Sequence, residues 1–410
     1  MKTHLTYFFV TCILFFSYTK VFANYEDNDS VLTIISGDTS LQTATIQNAI
    51  NYCNKTGGGT VRLTKGVYRT APLRILSNVI LRIDSAATLL GSPNMADWTV
   101  GGKLYNLLYS SGTISNVTIT GQGTIDGSGA PWWAAYNAKT ISNRPRLIYL
   151  TANNLTIDSL TIQNSPSFHI VPNACTNVVI DHVTINTDKN SPNTDGIDPS
   201  QCFNVLITNC SISDGDDNIA IKAGGNTGPG GISGCQDITV ANCTFGYGHG
   251  LSIGSETSGG YNYLRVTGCT FKSTTNGIRI KSYTGNGGMV MNTYYSNITM
   301  TGVTNPIVVD WNYQAAVTTT PPKIPGGANI YINNLTVTGS ANAGLYNGVA
   351  NSIIQNIVIT NSNISAKKGM IINYANGVTF KNVIINKAPA KFGTNVTTAN
   401  TGSVTNINGF

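Results

Sequence analysis

The stretch FNVLITNCSISDG, residues 203–215, decides the fold. An Asn is followed by alternating apolar residues, Val205 and Ile207, and after a turn at Asn209 a second short run passes through Ile212. Alternation of this kind marks a half-buried strand. The same design stands on both sides of it. Upstream are TNVVIDHVTINTD at 176–188, NNLTIDSLTIQNS at 153–165 and SNVTITGQGTIDG at 115–127; downstream are QDITVANCTFGYG at 236–248 and NYLRVTGCTFKST at 262–274. Weaker copies follow at 295–310, 329–340, 353–365 and 376–387. The matching positions Asn116, Asn154, Asn177, Asn204 and Asp237 are 38, 23, 27 and 33 residues apart. A period of this length, built of short β-branched strands and Gly/Asn turns, means one coil per repeat. The expected fold is all-β, a right-handed parallel β-helix whose coils stack about 4.8 Å apart. A propeller would need a longer period and tight antiparallel hairpins.

Outward from the repeats, Thr45–Asn54 is the one strong helical pattern, with Ile46, Ala49, Ile50 and Cys53 on a single face and Gly57-Gly58-Gly59 ending it. A lone amphipathic helix ahead of many strands reads as a cap on the open end of the stack. Residues 1–23 read as a secretory signal: Lys2, an apolar run over 7–18, and Val21-Phe22-Ala23 before the cleavage point. Residues 24–410 then form a single β-helix domain, expected to be a secreted, extracellular monomer. No later window is apolar enough to span a bilayer, and no nucleic-acid or membrane partner is indicated. Without the signal the chain holds 22 basic and 18 acidic residues, a mild positive balance that favours approach to a polyanion only weakly.

Seven of the eight cysteines lie beyond the signal. Cys175, Cys202 and Cys235 precede equivalent strands, and Cys210, Cys243 and Cys269 share the next one, so they form two columns on successive coils. Free buried thiols are favoured over disulfides, and no His accompanies them to suggest a metal. Asn-x-Ser/Thr sequons are frequent, at Asn116, Asn154, Asn209, Asn242, Asn297 and Asn334 among others, several of them at repeat positions.

Four short stretches depart from the structural pattern: NTDGIDPS at 193–200, SDGDDNIAIK at 213–222, GHGLSIGSE at 248–256 and GIRIKSY at 277–283. Asp195, Asp216–Asp217, His249 and Arg279/Lys281 are each about one coil apart, which stacks them on one flank. Adjacent carboxylates repel, and such a cluster is costly in a chain only 10% charged. Asp216 and Asp217 would point to opposite faces of a regular strand. A bend at Gly215 and Asn218 would let them converge. Taken singly, each residue has a plainer reading: Asp195 could open a turn, His249 could be a satisfied structural histidine, and Arg279 with Lys281 could be a solvated pair. Together they suit glycoside cleavage, which needs a protonated acid on the leaving oxygen and a carboxylate opposite it. Arg279 and Lys281 suit an anionic sugar, Arg through its planar fork.

The motifs Asn193-Thr194-Asp195, Gly215-Asp216-Asp217, Gly248-His249-Gly250 and Arg279-Ile280-Lys281 closely resemble the four signatures of the polygalacturonase family, pectin-degrading glycoside hydrolases with a right-handed parallel β-helix. The likeness runs from the helix through at least Tyr313 and is nearer to bacterial members. It implies Asp216 as general acid, Asp195 and Asp217 as activators of water with inversion, and His249 as the group that keeps the acid in its working protonation state. It implies Arg279 and Lys281 on a galacturonate carboxylate, with Tyr313 and Asn193 as further substrate contacts, polygalacturonate (pectin) as partner, and neither cofactor nor metal. Endo action is expected, because 223–234 and 284–293 hold no long blocking insertion. Exo action, a rhamnogalacturonan-type hydrolase, a calcium-dependent lyase and a catalytically silent pectin-binding β-helix are the competing readings. His169, one coil before Asp195, either borders the groove or packs. Trp132-Trp133 either stack a sugar or pack.

Overall fold

A computed structural model describes residues 31–34, 40–224 and 234–386, with backbone strands also at 391–392, 396–400 and 404–405. The expected signal segment, the sequons Asn28 and Asn395, and most of the 223–234 segment lie outside the described residues. The chain winds as a right-handed parallel β-helix with three strand faces. On the first face Ile119, Ile157, Ile180, Ile207, Val240 and Val266 stand directly above one another. On the second, Ile162, Ile185, Ile212, Phe245, Phe271 and Met300 do the same. All are buried. The identical offset in every repeat is thus explained: each alternating apolar residue meets its own equivalent one coil on, filling a continuous core between the faces.

The repeat Asn is the corner residue. Asn116, Asn154, Asn177 and Asn204 all take left-handed backbone, with φ of 54°, 60°, 56° and 57°, a conformation Asn tolerates better than most side chains. Each amide then donates to the carbonyl of the Asn one coil back, at 2.9, 2.9, 3.0 and 2.7 Å starting from the Asn116–Asn78 rung. Several sequons are therefore rungs of this ladder, which is sufficient reason for Asn to stand there.

Helix α1 spans Thr43–Lys55 and covers the first coil with Ile46, Ile50 and Cys53 buried. It is slightly longer than the pattern indicated because Thr43 anchors its start, its hydroxyl accepting from the Ala71 N–H at 2.8 Å. A second helix, α2 at Ala130–Asn137, was not expected. With Trp132, Trp133, Ala134 and Ala135 in one turn it shows no apolar stripe. Trp132 packs edge-on against Trp98, centroids 5.8 Å apart, and Trp133 donates its indole N–H to the Ser165 carbonyl at 2.9 Å. Trp132 packs in the core, while Trp133 stays half-buried. All seven described cysteines are buried free thiols, and burial pushes Cys235 up to about 12, so these sulfurs act as small apolar fillers.

Candidate active site

The third face carries the chemistry. Ile170, Ile197, Ile219, Leu251, Ile278 and Ile307 stack along it, but at the coils of Ile197 and Ile219 the regular pairing thins to isolated bridges. There the backbone is free to bend. Asp195, Asp217 and His249 each stand two residues before their stacked apolar residue, so they share one register position; the Gly196 N–H donates to the Asp217 carbonyl at 2.9 Å. Asp216 lies on a bend at 215–216 and leaves that register. The two neighbouring carboxylates therefore converge: oxygens of Asp216 and Asp217 and a ring nitrogen of His249 all lie within 4.8 Å of one another. The glycines flanking His249 are required. Gly248 sits at φ +128°, where a Cβ would meet the Asn218 amide at 2.5 Å, and Gly250 sits at φ +77°, where it would meet the Asn276 carbonyl at 2.1 Å.

His249 Nδ1 is 3.1 Å from Asp216 Oδ1 and 4.0 Å from Asp217 Oδ1. Burial works to raise the Asp216 pKa, but the hydrogen bond and charge of His249, helped by Lys281 and Arg279, leave it below the usual carboxylate value. The same hydrogen bond raises His249. Asn193 completes the surround: its backbone is left-handed, φ 46°, its amide donates to Asp216 Oδ2 at 3.3 Å, and its carbonyl accepts from Arg144 Nη2 at 2.8 Å. Arg144 lies 3.8 Å above the ring of Tyr136 in α2. The unforeseen helix thus supports a residue of the site through Arg144.

Asp217 is fully buried. Lys281 Nζ donates to its Oδ2 at 2.7 Å, Arg279 donates to its Oδ1, and the Ser252 hydroxyl donates to it at 3.1 Å while accepting from Arg279 Nε at 2.8 Å. Arg279 and Lys281 are themselves more than nine-tenths covered. The sequence reading left both cations open to a ligand, whereas here both hold Asp217. A carboxylate this deep must be matched by opposite charge, and the register places both cations opposite it. Tyr313 is 40% exposed, its ring 5.3 Å from Lys281 Nζ.

Asp195 is buried, and burial pushes its carboxyl up to about 7, with Lys222 pulling down and Asp216 and Asp217 pushing further up. The family resemblance, by contrast, puts the working proton on Asp216 as general acid. Depth prevails: His249 holds Asp216 below its ordinary value, while burial lets Asp195 keep its proton to higher pH than Asp216. His169 packs. It is fully buried, burial lowers it to about 4, and its Nδ1 lies 3.0 Å from the Asp195 carbonyl. Being neutral, it donates there and fixes the backbone of Asp195.

Several groups at the site escaped the sequence reading: Lys222, Asp198, Asp214, Ser252 and Arg144. A signal existed for one of them. Lys222 follows Ile219 by three residues, the same offset that separates Lys281 from Ile278. Arg144 arrives from a loop and carried no pattern.

Three clustered carboxylates with an imidazole and two cations, on an exposed flank of a parallel β-helix, define a glycoside hydrolase. The chain belongs to glycosyl hydrolases family 28, whose model matches residues 53–345. It is 37% identical over 311 residues to an endo-polygalacturonase of Pectobacterium carotovorum subsp. carotovorum, covering 70% of this chain and 75% of that protein. The solved polygalacturonase of Erwinia carotovora ssp. carotovora superposes with a TM-score of 0.70 at 30% identity, covering 93% of this chain and 96% of the other. An exopolygalacturonase from Thermotoga maritima gives 0.76 at 23% identity, covering 87% and 92%, a likeness of fold.

Proposed function

We propose that this enzyme is a secreted endo-polygalacturonase, hydrolysing the α-1,4 bonds of polygalacturonate with inversion. The observation that carries the reading is the convergence of Asp216 and Asp217 on His249 with Asp195 one coil away. Asp216 is the general acid. Its partner His249 shares a proton with it across 3.1 Å, and a closely coupled pair titrates as one unit, so the proton belongs to both until the leaving oxygen takes it. Asp195 is the base that activates water. Asp217, bonded by Arg279, Lys281 and Ser252, fixes those groups in the site.

The short separation of Asp216 and Asp217 would suit a nucleophile, since retaining enzymes hold their carboxyls about 5–5.5 Å apart. Asp217 is a poor candidate for attack: it is buried, and Arg279, Lys281 and Ser252 occupy its oxygens. This favours water activated by Asp195, and hence inversion. Tyr313 and Asn193 border the cleft as substrate contacts, and Arg279 and Lys281, nearly covered and bonded to Asp217, act on a galacturonate carboxylate through their charge. The name of the Pectobacterium relative supports endo action, and the segment at 1–23 supports export. The test is digestion of polygalacturonate followed over time by product length and by proton NMR of the new reducing end. Mixed oligomers appearing early, with the anomer opposite in configuration to the bond cleaved, are expected. Monomer alone, a retained anomer, or no new reducing ends would overturn the respective parts.

A further inference from the structure

The reaction as proposed uses Asp195 as a base, yet Asp195 is buried and burial opposes its ionisation. Something must hold negative charge there. Of the cations nearby, Arg279 and Lys281 bond to Asp217 and His249 bonds to Asp216. Arg144 bonds to Asn193 and to two backbone carbonyls, and Lys222 is the cation that makes an ion pair with Asp195. Its Nζ stands 3.7 Å from Asp195 Oδ2, 3.9 Å from Asp198 Oδ2 and 3.9 Å from Glu256 Oε2. The ring centre of Phe168 lies 5.2 Å from the same nitrogen. Both Asp198 oxygens and Glu256 Oε2 are buried with no hydrogen-bond partner among the described residues, so the ammonium is also what offsets them.

We propose that Lys222 is a positioning residue for hydrolysis: one ammonium, shared among Asp195, Asp198 and Glu256, keeps Asp195 ionised and ready to take a proton from water. The inference rests on Asp195 being the base. The contacts are longer than hydrogen bonds, so the action is through the field and not through a directed bond. A compact point charge suits three acceptors at nearly equal distance better than a planar fork does. The other charged groups acting on Asp195 are Asp216, Asp217, Asp198 and Asp214, which oppose ionisation, and Lys281 and Arg144, which favour it; His169 on its carbonyl is neutral. On Lys222 itself Asp198, Asp195, Glu256 and Asp217 all act to keep the ammonium charged against its burial.

The experiment is the pH profile of kcat/KM on polygalacturonate for wild type, Lys222→Met, Lys222→Arg and Glu256→Gln. Removing the charge makes Asp195 harder to ionise, so in Lys222→Met the acid limb should move to higher pH by about one unit or more. That is a loss of about tenfold on the limb, with the bell narrowed from its acid side and its alkaline limb left in place. Lys222→Arg should keep the limb within about 0.3 units. A purely structural lysine would instead lower the rate by one factor at every pH, and that result, or an unmoved limb, overturns the proposal. Should Lys222→Met fail to fold, Glu256→Gln decides. Its side chain is 45% exposed, and losing its charge frees Lys222 to act on Asp195, so the acid limb should move to lower pH; no shift, or an upward one, overturns the proposal. Wild-type protein without activity on polygalacturonate would sink the proposed function, whereas an active wild type with unmoved limbs sinks only the role of Lys222.

Discussion

His249 Nδ1 is 3.1 Å from Asp216 Oδ1 and 4.0 Å from Asp217 Oδ1, so the imidazole is a partner of the first carboxylate and a neighbour of the second. The acid and its proton store are thus one unit, and its titration sets one limb of activity. The pair must hold a proton to act, and the Asp216 hydrogen bond raises His249, so activity is lost as pH climbs through a value above about 6.5. The base must be ionised, and Asp195 is held up to about 7, so activity is also lost as pH falls below that. The kcat/KM profile should be a narrow bell near neutrality. His249→Ala should lower kcat about 100-fold or more, within the usual range for acid–base groups, and distort the alkaline limb. A profile still flat between pH 5 and 9 would contradict both assignments.

Asp217 supplies the second prediction. A fully buried carboxylate bonded to two cations and a hydroxyl is costly to leave half-matched. Lys281→Met should destabilise the fold by about 3–5 kcal/mol, the usual effect of removing one partner from a buried ion pair. Adding Asp217→Asn to Lys281→Met should restore part of that stability, because the charge without a partner is gone, while activity stays lost. Urea unfolding of the single and double variants measures the coupling. Additive losses would mean that Lys281 serves the substrate and not Asp217.

The coil architecture was legible because it repeats. Each apolar alternation in the sequence meets its own copy one coil away, so Ile207 and Val240 carry the same information twice. The motif residues were legible for a related reason, since one-coil spacing turns distance in sequence into neighbourhood in space. What could not be read was depth. Nothing in Arg-Ile-Lys says that both cations turn onto Asp217, and nothing in the motifs says that Asp195 is held protonated to higher pH than Asp216. Those outcomes depend on how far each group lies from water. Helix α2 was hidden differently: Ala130–Asn137 is short and apolar on every side, so it leaves no periodic trace, yet through Tyr136 and Arg144 it reaches Asn193.

The asparagine ladder yields a prediction far from the groove. Asn154 donates to Asn116 at 2.9 Å and accepts from Asn177 at 3.0 Å, and it does so at φ 60°. Asn154→Ala removes both bonds and places a Cβ residue less suited to left-handed backbone. At about 0.5–1.5 kcal/mol for each of the two hydrogen bonds and about 1–2 kcal/mol for the conformation, the loss should be about 2–5 kcal/mol. Asn154→Gly removes the bonds alone and should recover about 1 kcal/mol or more of it. Thermal unfolding of both variants separates the terms, with catalysis expected to be unchanged in either. Equal stability of Ala and Gly would mean that the backbone conformation costs nothing there.

The buried carboxyls also make stability depend on pH. Burial raises Asp195 to about 7 and holds Asp198 and Asp214 well above their ordinary value. In the unfolded chain each ionises near about 3.9. Between those values the folded protein keeps protons that the unfolded chain has released, so stability falls as pH rises through the window. His249 acts in the same sense: raised on folding, it contributes fully below about 6.5 and the contribution is lost above its folded value. Asp216 acts in the opposite sense. Lowered on folding, it contributes above about 3.9 and loses that contribution as pH falls further. The enzyme should therefore be most stable near about pH 4 and should lose stability steadily from there toward pH 8. Asp198→Asn should flatten that decline, because it removes one of the carboxyls that must ionise in the core. Thermal denaturation of wild type and Asp198→Asn at pH 5 and pH 8 provides the measurement. A wild-type melting temperature higher at pH 8 than at pH 5 would mean that these carboxyls are already matched by charge in the fold.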